Sequence, residues 1–153
     1  MQQHHYVRYV RWFDEVGLDD LALVGGKNAS LGELVEAMGD TIKVPEGFAI
    51  TVDGYRDMVD MNGLWQRIMA VLDDTNWRDP KVTGAASTKL RNMINTAPLP
   101  QGLVTDIEIA YQRLERKFGR GVAVAVRSSA TAEDSPAASF AGVHESFLNV
   151  RSA

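Results

Sequence analysis

The chain has 153 residues, 45% hydrophobic and 24% charged, a composition that suits one soluble globular domain and excludes a disordered segment. Sixteen basic and 20 acidic residues leave a net charge of −4, so nucleic acid is not an expected partner. There is no cysteine, which excludes disulfides, zinc–thiolate sites and thiol nucleophiles together.

The N-terminal stretch "MQQHHYVRYVRWF" has no apolar signal core, and no apolar run approaches the roughly 20 residues that span a bilayer. A cytoplasmic protein with no membrane partner is therefore expected. Tyr6 to Phe13, rich in aromatics and valine, reads as a strand. Leu31, Leu34, Val35 and Met38 recur at helical spacing. They predict a helix over about Lys27 to Met38, with Gly25-Gly26 at its mouth and Gly39 as its stop. "VPEGFAIT" reads as a turn and a strand, Phe48 to Thr51. Tyr55, Met58 and Val59 predict a helix stopped at Asn62-Gly63, and another covers Leu64 to Leu72.

Asp79-Pro80 is a helix start, a capping side chain followed by proline in the first turn. That helix would turn Val82, Ala86, Leu90, Met93 and Ile94 inward. After "PLPQG", Leu103, Ile107, Tyr111, Leu114 and Phe118 line one face of a long helix closed by Gly119. A strand at Val122 to Val126, a loop of small residues, and a strand at Glu145 to Val150 complete the chain. Strands at both ends with helices between predict an α+β domain with a small mixed sheet. Trp12, Trp65 and Trp77 are expected in its core.

Two segments carry chemistry. In "GGKNAS", Gly25 and Gly26 let the backbone approach a ligand, and the helix that follows offers free N–H groups and a positive dipole end. Lys27 adds a full charge there, at a cost to the helix of about 0.3–1 kcal/mol that a bound anion would remove. The segment is not a Walker A loop, because Leu21 and Asn28 stand where that pattern needs glycine and Ser or Thr. A plain glycine turn with a solvated lysine is the alternative. In "VAVRSSATAEDSPAASFAG", Arg127 follows a Val/Ala alternation suited to a strand covered on both faces. A strand end of this kind is where open α/β sheets place ligands, and a guanidinium matches phosphate oxygens. Ser128, Ser129 and Thr131 add donors; the alternative is an Arg127 paired with Glu133 or Asp134. His4 and His5 read as an N-terminal tail, and His144, beside the glycine-rich loop, as a surface residue, with a ligand contact as the alternative. No G-x-S-x-G elbow surrounds Ser128, which excludes a serine hydrolase of that kind.

Taken together, "VGGKNASLGEL", "VPEGFAIT" and "AVAVRSSATAEDSPAASFAG" resemble the N-terminal nucleotide-binding region of the phosphoenolpyruvate synthases (pyruvate, water dikinases). Rifampicin phosphotransferases and pyruvate phosphate dikinase share that region. The likeness runs from about Val10 to Val150 and is vaguest between Leu64 and Lys117. It implies the first lobe of an ATP-grasp fold, incomplete without a second lobe. The family's phosphate-binding lysine falls on Lys27, its phosphate-binding arginine on Arg127 and the glycine of its clamping loop on Gly142. A nucleotide-contacting threonine corresponds to Ser146. Val143 and His144 depart from the "SFAGQQ" common in relatives.

The resemblance further implies transfer of a phosphoryl group from ATP to a carrier histidine and on to pyruvate, giving AMP, phosphoenolpyruvate and phosphate. The magnesium ligands, the carrier histidine and the pyruvate site belong to domains outside this chain. Residues 1–153 are thus expected to be a fragment of a larger enzyme, inactive alone, with no catalytic residue and no metal ligand of its own. Other readings are a rifampicin phosphotransferase lobe and a stand-alone nucleotide-binding module.

Overall fold

The computed structural model describes residues 8–38, 41, 44–131 and 145–153. It divides into two units. One is discontinuous, Met1–Asp53 with Gly102–Ala153, and the other is the continuous segment Gly54–Gln101.

The discontinuous unit opens with β1 (Val10–Trp12), followed by 3-10 turns at Phe13–Glu15 and Leu18–Asp20. The short helix α1 (Leu21–Val24) and α2 (Gly26–Met38) come next, separated by Gly25 alone. Strand β2 (Phe48–Ile50) pairs antiparallel with β1, Val10 opposite Ile50 and Trp12 opposite Phe48. Val10 and Trp12 are buried on one face of this pair and Ala49, opposite Arg11, on the other, while Ile50 is exposed. Helix α6 (Gln101–Phe118) packs Ala110 and Leu114 against Val10 and Trp12, with Val122 and Val124 beside them, while Ala49 joins Val16, Val24 and Ala29 in a second cluster. It ends at Gly119, whose φ of +101° suits a helix C-terminus that a side chain would strain.

Helix α2 departs from its sequence pattern. Leu31 and Val35 are half-buried, but Leu34 is 43% and Met38 37% exposed, while Gly26, Ala29 and Gly32 are buried. The cause is Gly32. A β-carbon there would collide with the Val16 carbonyl, so the helix closes backbone to backbone and its small face outcompetes its large one.

Strands β3 (Val124–Arg127) and β4 (Ser146–Val150) form a second antiparallel pair. The expected mixed sheet is therefore two separate antiparallel ribbons within an α+β fold. Nor is β3 covered on both faces, because Ala125, Val126 and Arg127 are all exposed. Its Val/Ala alternation records compatibility with cover, and no described residue supplies that cover. A bulge interrupts the ladder between Val124 and Val126, and Asn149 on β4 sits there at φ +58°.

In the continuous unit, α3 (Val52–Met61) runs in from the preceding strand and α4 (Leu64–Asp74) follows Gly63. Met58, Val59 and Leu64 form the core with Ile68, Met93, Ile94 and Ala97 packed against them. Helix α5 (Pro80–Asn95) starts as its sequence predicts: the Asp79 carboxylate accepts the Lys81 N–H at 2.9 Å, and proline occupies the first turn. Val82 is 40% exposed, so the inward face of α5 is narrower than its apolar pattern. Two tryptophans also leave the expected core. Trp65 is 61% and Trp77 49% exposed, since Leu64, Ile68 and Val71 already form the inner face of α4.

Candidate functional site

The site is built in the discontinuous unit from the α1–α2 corner and the end of β3. At the corner, Gly25 takes φ +79°, ends α1 through its N–H on Leu21 O, and offers its own carbonyl to Ala29 N–H at 3.1 Å. One residue thus closes one helix and opens the next, so α2 starts abruptly with its first-turn amides at the corner. Lys27 projects from this turn, half-buried.

Strand β3 is held at both ends. The Tyr111 hydroxyl donates to Val122 O at 2.7 Å just before it, and the Arg151 guanidinium donates to Gly121 O at 2.9 Å. Beyond it, Ser128 N–H and its hydroxyl both donate to Glu145 O, at 3.3 and 3.4 Å. Arg127 lies directly opposite Ser146 in the ladder, which sets the two side chains on one face. Arg127 is exposed, and no carboxylate among the described residues pairs with it.

Corner and strand end meet through two crossing hydrogen bonds. The Lys27 ammonium donates to Ser128 O at 3.4 Å, and the Ser129 hydroxyl donates to Val24 O at 3.2 Å. The Asn28 amide also donates to Val24 O, at 2.7 Å. Lys27, Gly25, Gly26, Ser128, Arg127 and Ser146 are therefore gathered along one meeting line, although positions 27 and 127 are 100 residues apart. Thr131 is exposed. Gly142, His4, His5, His144, Glu133 and Asp134 lie outside the described residues.

Gly25 also makes room for its own chain. Its open side faces Ser129 and Ala130, and a β-carbon would collide with the Ser129 hydroxyl and stand 3.1 Å from Ala130 O. It permits a close approach by Ser129 and Ala130. Sequence reasoning missed this latch: Ser129 reads as one more loop donor, and the only signal is the pairing of a backbone glycine with a small hydroxyl residue 104 positions on.

A guanidinium at a strand end beside an ammonium at a helix mouth concentrates positive charge, the chemistry that suits an anion. The sequence matches the family described as pyruvate phosphate dikinase, AMP/ATP-binding domain, over residues 21–153. The chain belongs to this family. Among the curated proteins similar to it, the phosphoenolpyruvate synthase of Synechocystis sp. is 44% identical over 155 residues, 97% of this chain and 19% of its own length. That of Pseudomonas aeruginosa is 44% identical over 146 residues, 95% of this chain and 18% of its own. That of Escherichia coli is 43% identical over 143 residues, 93% of this chain and 18% of its own. The chain thus spans under a fifth of these relatives, and both segments of the meeting line fall within the pyruvate phosphate dikinase AMP/ATP-binding match.

Proposed function

We propose that this chain is the ATP-binding part of a phosphoenolpyruvate synthase-like dikinase, the first lobe of an ATP-grasp domain within a longer enzyme. The observation that carries the reading is the Lys27 ammonium reaching the carbonyl next to Arg127, in a chain of an AMP/ATP-binding family. Phosphoryl transfer is catalysed mainly by positioning and charge stabilisation, and the residues it needs are cations aimed at phosphate oxygens. Lys27 would hold the triphosphate at the mouth of α2, where the first-turn amides and the helix dipole add to its charge. Arg127 would grip a second set of oxygens with its planar fork. Ser146, opposite Arg127, and Ser128 and Thr131 beyond it, would supply hydroxyl contacts, and Gly142 the backbone of a loop over the phosphates.

Magnesium would accompany ATP and neutralise charge as the phosphoryl group moves. Among the described residues no three carboxylate or histidine side chains gather to hold a cation, and we assign it no ligand here. In the longer enzyme the phosphoryl group would pass to a carrier histidine and then to pyruvate. That the similar proteins named above are phosphoenolpyruvate synthases favours pyruvate over an antibiotic as acceptor.

The test is a magnesium-ATP titration of the 153-residue chain followed by amide shifts. Shifts centred on residues 25–28 and 127–131 are expected, and Lys27→Ala or Arg127→Ala should each weaken binding at least about tenfold, as loss of a charge-assisted contact does. Shifts confined to Gly54–Gln101, or wild-type affinity in both variants, would reject the assignment.

A further inference from the structure

The two crossing bonds at the meeting line differ in kind. The Lys27 ammonium makes a long, exposed contact to Ser128 O, whereas the Ser129 hydroxyl makes a shorter, partly buried one to Val24 O. Val24 is the last residue of α1, so its carbonyl is one that a helix end leaves without an intrahelical partner. Here it accepts twice, from Asn28 within the corner and from Ser129 across it. The glycine between α1 and α2 is what lets Ser129 reach it: with any side chain at position 25, the hydroxyl would be displaced.

We propose that Ser129 is a positioning residue of the phosphate site. It touches no nucleotide in this role. By donating to Val24 O, its hydroxyl sets the separation between the helix mouth that carries Lys27 and the strand end that carries Arg127. Lys27 can then leave Ser128 O for a phosphate oxygen while the corner stays closed, because the second bond holds it. Ser129 is retained and Lys27 is exchanged. Phosphate contacts reward fixed geometry steeply, so a loosened corner weakens binding even with both cations present. The inference rests on the ATP reading above and adds the part of the site that fixes its width.

Ser129→Thr and Ser129→Val have one shape and differ only by the hydroxyl, and Ser129→Ala removes the hydroxyl without added bulk. Each variant of the 153-residue chain is titrated with magnesium-ATP, and amide exchange is followed without nucleotide. Ser129→Ala should bind ATP about three- to tenfold more weakly, the factor that one net hydrogen bond supplies. Exchange at residues 25–28 and 126–129 should rise together while the rest of the chain keeps its protection. Threonine should restore affinity relative to valine. An alanine variant that melts lower yet binds ATP like wild type, or an unfolded alanine variant beside a folded threonine variant, makes Ser129 a structural brace and overturns the proposal. If the wild-type chain binds no ATP, half of the clamp does not suffice for binding and exchange alone decides the latch. Joint acceleration at both segments supports it, and unchanged rates in Ser129→Ala overturn it.

Discussion

Gly32 and Gly84 both sit inside helices, yet adding a methyl group to each has opposite consequences. At Gly32 the new β-carbon would collide with the Val16 carbonyl, a backbone atom that cannot step aside. At Gly84 it would meet nothing within 4 Å. Gly32→Ala should therefore destabilise by about 3 kcal/mol or more, through overpacking. Gly84→Ala should stabilise by about 0.5–1 kcal/mol, because it removes only the excess freedom of the unfolded chain. Thermal unfolding of the two variants checks both signs, and a destabilised Gly84→Ala would mean that α5 needs its glycine for something other than helix formation. Sequence could not rank these positions. Both read as glycines in a helical pattern, and the difference lies in what stands opposite them in space.

Local signals survived at the level of elements, and signals that depend on packing did not. The start of α5 was legible because a cap is chemistry among neighbours: Asp79 reaches an amide two residues away, and Pro80 loses no hydrogen bond in the first turn. Asp79→Ala should cost about 1 kcal/mol and lower Tm by about 2–4 °C. Asparagine at the same position should keep most of that stability, which separates the cap from a charge effect. Gly119 was legible for the same reason as the stop of α6. Trp65 was not, because periodicity tells which residues share a face and not how many faces a helix buries. The Val/Ala alternation of β3 likewise states a preference that the exposed Ala125 and Val126 leave unmet among the described residues.

Across the whole chain, the candidate site was legible only as wording. No local rule brings position 27 to position 128. Each motif alone admits a plain reading, a glycine turn or an arginine paired within its loop, and only their joint occurrence in one order marked them as partners. The structure adds the contact itself, Lys27 to Ser128, and the latch beside it that no motif records. It also assigns every described member of the site to the discontinuous unit, while the continuous unit keeps a separate core around Leu64, which is 1% exposed. That division makes a prediction at this scale. Leu64→Ala should cost about 2–5 kcal/mol, the usual range for emptying a buried leucine site, with exchange rising first within Gly54–Gln101. Measured well below its melting temperature, the variant should bind magnesium-ATP within about twofold of wild type, since Lys27, Arg127 and Ser128 belong to the discontinuous unit. A loss of affinity matching that of Lys27→Ala would mean that the candidate site depends on the continuous unit, and the latch at Val24 would then not suffice to set its geometry.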